Sequence, residues 1–155
     1  MGRIEVGAAL PDLELTGSDN AVIHLRDFTG KPFVLYFYPK DDTAGCTREA
    51  QDFSALLPDF QHCGAQLLGV SKDTPAKHKK FTEKYNLTVP LASDQHAVVE
   101  AFGAWVPKIL YGRSYMGIDR STWLFDVEGK LARVWRKVKV PGHAAAVLAA
   151  VRALG

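Results

Sequence analysis

Phe33-Val34-Leu35-Tyr36-Phe37-Tyr38 runs into Pro39 and, after a short turn, into Asp42-Thr43-Ala44-Gly45-Cys46-Thr47-Arg48. Six apolar or aromatic residues in a row read as a strand covered on both faces. From Cys46 onward, Ala50, Phe53, Leu56 and Leu57 recur at helical spacing, which predicts a helix over 46 to about 57. A cysteine is thereby carried from a buried strand, through a turn, onto the first turn of a helix. A helix N-terminus holds partial positive charge and unpaired N–H groups, and both favour an anion. A free thiol ionises near pH 8.5, and such a placement can bring that value well below about 7. The stretch predicts an α/β fold and a nucleophile at Cys46.

Working outward, the pattern alternates strand and helix after an opening hairpin. Leu13 to Leu15 and Val22 to Leu25 flank the turn-rich Thr16-Gly17-Ser18-Asp19-Asn20. Pro58 is expected to kink or end the Cys46 helix. Gln66 to Ser71 reads as the next buried strand. Asp73-Thr74-Pro75 supplies a cap and a first-turn proline for a helix to about Tyr85. Val89 to Leu91 reads as a short strand and Gln95 to Phe102 as a short helix. Trp105, Tyr111 and Tyr115 fall in a loop-rich segment, lining the pocket or a subunit contact. Ser121 to Asp126 and Leu131 to Arg136 form a hairpin, and Gly142 to Ala153 an Ala-rich closing helix. The expected architecture is one domain over 1–155, a three-layer α/β sandwich with a central mixed sheet and an N-terminal β-hairpin. The order of elements suits a thioredoxin-like fold.

Bulk composition narrows the function. The chain has 155 residues, 47% hydrophobic and 23% charged, enough for one core. A net charge of +2 with scattered Lys and Arg argues against nucleic acid or a membrane surface as partner. The longest apolar run, Ala144 to Val151, is too short to span a bilayer. Met1-Gly2-Arg3-Ile4-Glu5-Val6 has an early acid and no apolar core, so no signal peptide is expected. Gly2 lacks the following Ser or Thr of a myristoylation signal. Two cysteines without a secretion signal suggest a reducing, cytoplasmic setting in which they are reactive or buried.

Around Cys46 the residue types suit oxygen chemistry. Thr43 lies three residues earlier, and a hydroxyl that donates and accepts can hold an oxygen in line with a thiolate. Pro39 shields a pocket without offering a donor. Gly45 permits close backbone approach. Arg48 reads as a solvated side chain or as a charge that helps hold a thiolate.

Pro39-Lys40-Asp41-Asp42-Thr43-Ala44-Gly45-Cys46 matches the Pro-x-x-x-Thr-x-x-Cys signature of peroxiredoxins. The resemblance covers nearly the whole chain. Gly69-Val70-Ser71-Lys72-Asp73, Pro90-Leu91-Ala92-Ser93-Asp94, Lys108 with Tyr111-Gly112, and Met116 to Thr122 resemble the peroxiredoxin Q group, also called bacterioferritin comigratory proteins. The resemblance implies that Cys46 is the peroxidatic cysteine and that Thr43 and Arg120 bind the peroxide oxygens. It implies that Pro39 shields the sulfenic acid and that Glu49 orients Arg120. A fixed guanidinium beside backbone N–H groups would stabilise charge on the departing oxygen. The implied activity is thiol-dependent reduction of hydrogen peroxide and alkyl hydroperoxides through a Cys46 sulfenic acid, with no metal, haem or flavin. The implied partners are the peroxide and a thiol reductant such as thioredoxin or glutaredoxin with glutathione. The implied assembly is a monomer or weak homodimer.

The chain departs from the group in places. One resolving-cysteine position, five residues after Cys46, holds Gln51; another, 36 residues on, holds Thr82. The remaining cysteine, Cys63, falls near the far end of the Cys46 helix, roughly 20 Å away at about 1.5 Å per residue. A disulfide needs Cα atoms within about 7 Å. The reading favoured is therefore a one-cysteine cycle resolved by an outside thiol, with Cys63 a buried or half-buried thiol. The alternative is a two-cysteine cycle in which Cys63 resolves after local unfolding. Ala44 stands where the group has proline, and Trp123 where Phe is common.

Other functions fit less well. A thiol–disulfide oxidoreductase needs a second cysteine near Arg48 or Glu49, and none is there. A chaperone-like binding module that had lost catalysis would show damage to Thr43, Cys46 and Arg120, and all three are intact. His24, His62, His78, His96 and His143 are dispersed, without metal-ligand spacing. Asp41 and Asp42 read as turn and capping residues.

Overall fold

The computed structural model describes residues 4–154. The expectations for Met1-Gly2-Arg3 lie outside them. The strands are β1 (Glu14–Gly17), β2 (Val22–His24), β3 (Phe33–Phe37), β4 (Gln66–Ser71), β5 (Leu91–Ser93), β6 (Trp105–Leu110), β7 (Arg113–Ile118), β8 (Ser121–Phe125) and β9 (Leu131–Trp135). The helices are α1 (Ala44–His62), α2 (Pro75–Tyr85), α3 (Val98–Ala101) and α4 (His143–Leu154), with a 3₁₀ turn over Leu25–Phe28.

Seven strands form one mixed sheet in the order β2-β1-β5-β4-β3-β8-β9. β3, β4 and β5 run parallel, while β1 and β8 join them antiparallel. β3 is fully buried because both its faces are covered. Val34, Tyr36 and Tyr38 pack with Phe53, Phe81 and Val147 of α1, α2 and α4. Phe33, Leu35 and Phe37 face the opposite layer with Phe102 and Trp123. This is the three-layer sandwich expected. Among the described residues no helix is long and apolar enough to cross a membrane.

Four local expectations need correction. Pro58 does not end α1, which runs to His62. A proline leaves the carbonyl four residues earlier without its helical donor. That carbonyl belongs to Ser54, and Thr88 Oγ1 donates to it at 3.2 Å. The same clamp moves the next strand from 89–91 to Leu91–Ser93. Thr88 and Val89 donate their N–H groups to Ser54 Oγ, each at 3.1 Å, and Pro90 has none, so sheet pairing starts at Leu91.

The helix expected over 95–102 shrinks to Val98–Ala101 because Asp94 takes its first N–H groups. The Asp94 carboxylate accepts from His96, Val98 and Val99, and Ala97 turns to a φ of 60°. The segment read as loop-rich is a two-stranded ribbon, β6 with β7, holding Trp105 and Tyr115. Its turn is Tyr111-Gly112, with φ of 53° and 78°, the pair of positive values a tight hairpin needs.

Candidate active site

Sheet register assembles the site. β8 pairs antiparallel with β3 so that Ser121 stands opposite Phe37. Arg120, one residue before β8, therefore emerges where β3 ends and its loop turns into α1. The backbone carbonyl of Arg120 accepts from Val138 N at 3.0 Å, which fixes the corner. The loop lies at the carboxyl end of the parallel strands, where α/β sheets place their ligands.

Cys46 is the third residue of α1 and is 1% exposed. Arg120 Nη2 lies 3.4 Å from its sulfur. The other guanidinium arm, Nη1, donates to Glu49 Oε1 at 2.7 Å. Glu49 is one helical turn beyond Cys46 and 1% exposed. Burial raises its carboxyl to about 7, with Arg120 pulling the other way. Gly45 leaves room for this arrangement, since a Cβ there would stand 3.1 Å from Arg120 Nη2.

Thr43 caps α1 by position, but its hydroxyl donates to Lys40 O at 2.9 Å instead of serving the helix N–H groups. Its oxygen keeps acceptor capacity at the mouth of the site. Pro39 is exposed and edges a groove of about 310 Å³ with Trp105, Tyr115 and Met116. Thr43, Pro39, Cys46, Glu49 and Arg120 are thus gathered around one loop. Arg48 is not part of this group: it pairs with Asp52 at 3.0 Å along the outer face of α1. Cys63 is half-buried at the C-cap of α1, and both cysteines are free thiols. The helix runs unbroken from Cys46 to His62 between them, which at about 1.5 Å per residue holds them more than about 20 Å apart.

Sequence reasoning missed the polar network behind the loop. Asp41 is buried, accepting from Tyr38 Oη at 2.5 Å and standing 2.7 Å from His78 Nδ1. Its own N–H donates to Asp73 at 2.8 Å. Asp42, with a φ of 60°, bonds Lys84 at 2.7 Å and Tyr85. Both acids tie the loop to α2, and the only sequence signal was their adjacency to the cysteine turn. His143 pairs through Nε2 with Thr122 Oγ1 at 2.7 Å. Burial, then Arg120, lowers its pKa to about 4. Trp123 packs edge-on against Phe102, centroids 5.0 Å apart, in the place where Phe is common.

The chemistry this permits is narrow. A sulfur sits at a helix start with a guanidinium beside it, and that guanidinium is held by a second buried group. An oxygen brought to the sulfur would meet a fixed positive charge suited to stabilising a developing oxyanion.

Comparison with known proteins points the same way. A family model described as the AhpC/TSA family matches residues 6–134. Peroxiredoxin Bcp of Bacillus subtilis is 50% identical over 146 residues, spanning 94% of this chain and 93% of the relative. Peroxiredoxin Bcp of Xanthomonas campestris is 48% identical over 151 residues, spanning 97% and 94%. The solved structure of the Xanthomonas campestris bacterioferritin comigratory protein superposes with a TM-score of 0.88 at 45% identity, covering 99% of this chain and 98% of that one. That protein was studied for alkyl peroxide reduction, as a trapped intermediate and ligand complex.

Proposed function

The chain belongs to the AhpC/TSA family and is a thiol peroxidase of the peroxiredoxin type, and from that premise we propose that Cys46 attacks the peroxide and that an outside thiol, not Cys63, resolves its sulfenic acid. The observation that carries this reading is the 3.4 Å approach of Arg120 Nη2 to Cys46 Sγ. In the first step the Cys46 thiolate attacks the terminal peroxide oxygen. The S–O bond forms as the O–O bond breaks, sulfur is oxidised to the sulfenic acid, and the departing oxygen takes a proton to leave as water or an alcohol. Arg120 meets the charge as it moves onto that oxygen. Thr43 Oγ1 offers an acceptor for the peroxide O–H, and Pro39 limits water at the mouth.

In the second step an outside thiolate attacks the Cys46 sulfur, forming a mixed disulfide and releasing hydroxide, which is protonated to water. A second thiol then frees Cys46 as the thiolate. The separation along α1 supports leaving Cys63 out of this cycle. The shared seven-stranded sheet supports treating residues 1–155 as one peroxiredoxin domain. Two unpaired thiols fit a reducing compartment such as the cytoplasm.

The test is intact mass under non-reducing conditions after one equivalent of hydrogen peroxide, for the native chain and Cys63→Ser. A gain of one oxygen in both is expected. Loss of two hydrogens in the native chain alone would instead mean that Cys63 resolves Cys46 and that α1 unwinds.

A further inference from the structure

Helix α2 carries Lys77, Lys79, Lys80 and Lys84 against one acid, Glu83. Its buried residues are Pro75, His78 and Phe81. Lys77, Lys80 and Lys84 share a flank at helical spacing and stand along a groove of about 280 Å³. The groove is also lined by Lys40, Asp41 and Asp42, the residues that lead into the Cys46 turn.

The acids of this groove are all hydrogen-bonded, and Asp42 is in addition paired with a lysine. Asp41 is bound to Tyr38 and His78. Asp73 accepts from Asp41 N and Ser71 Oγ. Asp42 is paired with Lys84 and Tyr85. Among the ion pairs of the described residues, Lys40, Lys77 and Lys80 have no partner. A chain with a net charge of only +2 thus sets three uncommitted cations around one concavity beside its reactive loop. The groove carries four lysines and three aspartates, a net positive lining, and a net potential of one sign steers ligands of the other and can raise their on-rates by about 10- to 1000-fold.

We infer that this groove docks the thiol that reduces Cys46, and that the thiol is a small molecule bearing carboxylates. The inference rests on the outside-thiol cycle proposed above. A concavity of about 280 Å³ matches a molecule of roughly tripeptide size. Lys40 from the loop before α1, with Lys77 and Lys80 from α2, can hold the carboxylates of such a molecule. Its sulfur would then lie beside the loop that carries Cys46, whose 1% exposure favours a slender nucleophile. Attack forms the mixed disulfide and releases hydroxide, as in the second step of the cycle.

The experiment follows the reductive step alone. The protein is oxidised with one equivalent of hydrogen peroxide, and the +16 Da species is followed by quenched mass spectrometry. Glutathione, neutral 2-mercaptoethanol and cationic cysteamine are compared at matched thiolate concentration and low ionic strength. The native chain is set beside the double variant Lys77→Glu with Lys80→Glu, and beside the uncharged Lys77→Gln with Lys80→Gln. Charge reversal is expected to slow glutathione about tenfold or more. It should change 2-mercaptoethanol less than twofold and speed cysteamine, with the Gln pair intermediate. In the native chain, added salt should slow glutathione alone. Equal slowing of all three thiols, or no change for glutathione, overturns the site and leaves the one-cysteine cycle standing. A Cys46–Cys63 disulfide, visible before any thiol is added, overturns both.

Discussion

Glu49 holds Arg120 against Cys46: its Oε1 accepts from Nη1 at 2.7 Å, while Nη2 of the same guanidinium stands 3.4 Å from the sulfur. A lysine cannot make both contacts, because it is a point charge without a planar fork. Arg120→Lys should lower the second-order rate of Cys46 oxidation by about 100- to 1000-fold. Glu49→Gln keeps an acceptor for Nη1 and should cost only about tenfold. Stopped-flow tryptophan fluorescence with hydrogen peroxide measures both, and a Lys variant within threefold of native would refute the role given to Arg120.

The raised carboxyl of Glu49 has a consequence for stability. In the folded chain it holds its proton up to about pH 7, against 4.5 for an ordinary glutamate. Between those values the folded state binds the extra proton, so stability falls as pH rises. The shift corresponds to roughly 3 kcal/mol. His143 acts in the opposite sense. Its pKa drops from 6.5 to about 4, so the unfolded state binds the extra proton there and stability rises with pH. The two slopes oppose each other between about pH 4.5 and 6.5. The stability of Glu49→Gln minus that of the native chain should therefore climb by roughly 3 kcal/mol from pH 4.5 to 7.5. Urea unfolding at four pH values provides the measurement, and a difference that stays flat or falls would show that Glu49 is not buried as an acid.

Much of this was legible in the residues, for physical reasons that differ by element. β3 announced itself because a strand buried on both faces must be apolar throughout, and Phe33 to Phe37 are. The Cys46 turn was legible because strand, proline, small residues and helix follow within one short stretch. The β6–β7 ribbon was not, because its turn is Tyr111-Gly112 instead of Asn-Gly and its face is largely solvent-exposed. Pro58 misled because the donor that rescues its helix comes from Thr88, 34 residues from Ser54. Asp41 misled in the same way, since only the packing of α2 turns a loop acid into the buried partner of His78. What sequence could not show in each case is a hydrogen bond closed by a distant segment.

The Ser54 clamp can be weighed directly. Ser54→Ala leaves the N–H groups of Thr88 and Val89 without the acceptor they share. Thr88→Val removes the donor that serves the Ser54 carbonyl above Pro58. Each should cost about 1 to 2 kcal/mol. Pro58→Ala in the Thr88→Val background restores an internal donor to that carbonyl and should recover most of the loss. A double-mutant cycle by chemical unfolding tests this coupling, and full additivity would show that Thr88 does not substitute for the missing helical N–H.

Gly45→Ala separates stability from activity. Gly45 lies in the first turn of α1 without a positive φ, so alanine fits its backbone and favours the helix by up to about 1 kcal/mol. The new Cβ would stand 3.1 Å from Arg120 Nη2 and 3.8 Å from Cζ. That nitrogen is the one facing Cys46 Sγ, and its partner arm is fixed on Glu49. The guanidinium must yield by a few tenths of an ångström, which shifts the nitrogen that faces the sulfur. Misplacement by about 1 Å can cost 100-fold in rate, so a smaller displacement should cost about tenfold. The variant is therefore expected to melt at or above the native temperature while its Cys46 is oxidised about tenfold more slowly. Thermal unfolding and stopped-flow oxidation on the same preparation decide it, and native rates in a stabilised variant would mean that Arg120 does not act from the position seen beside Cys46.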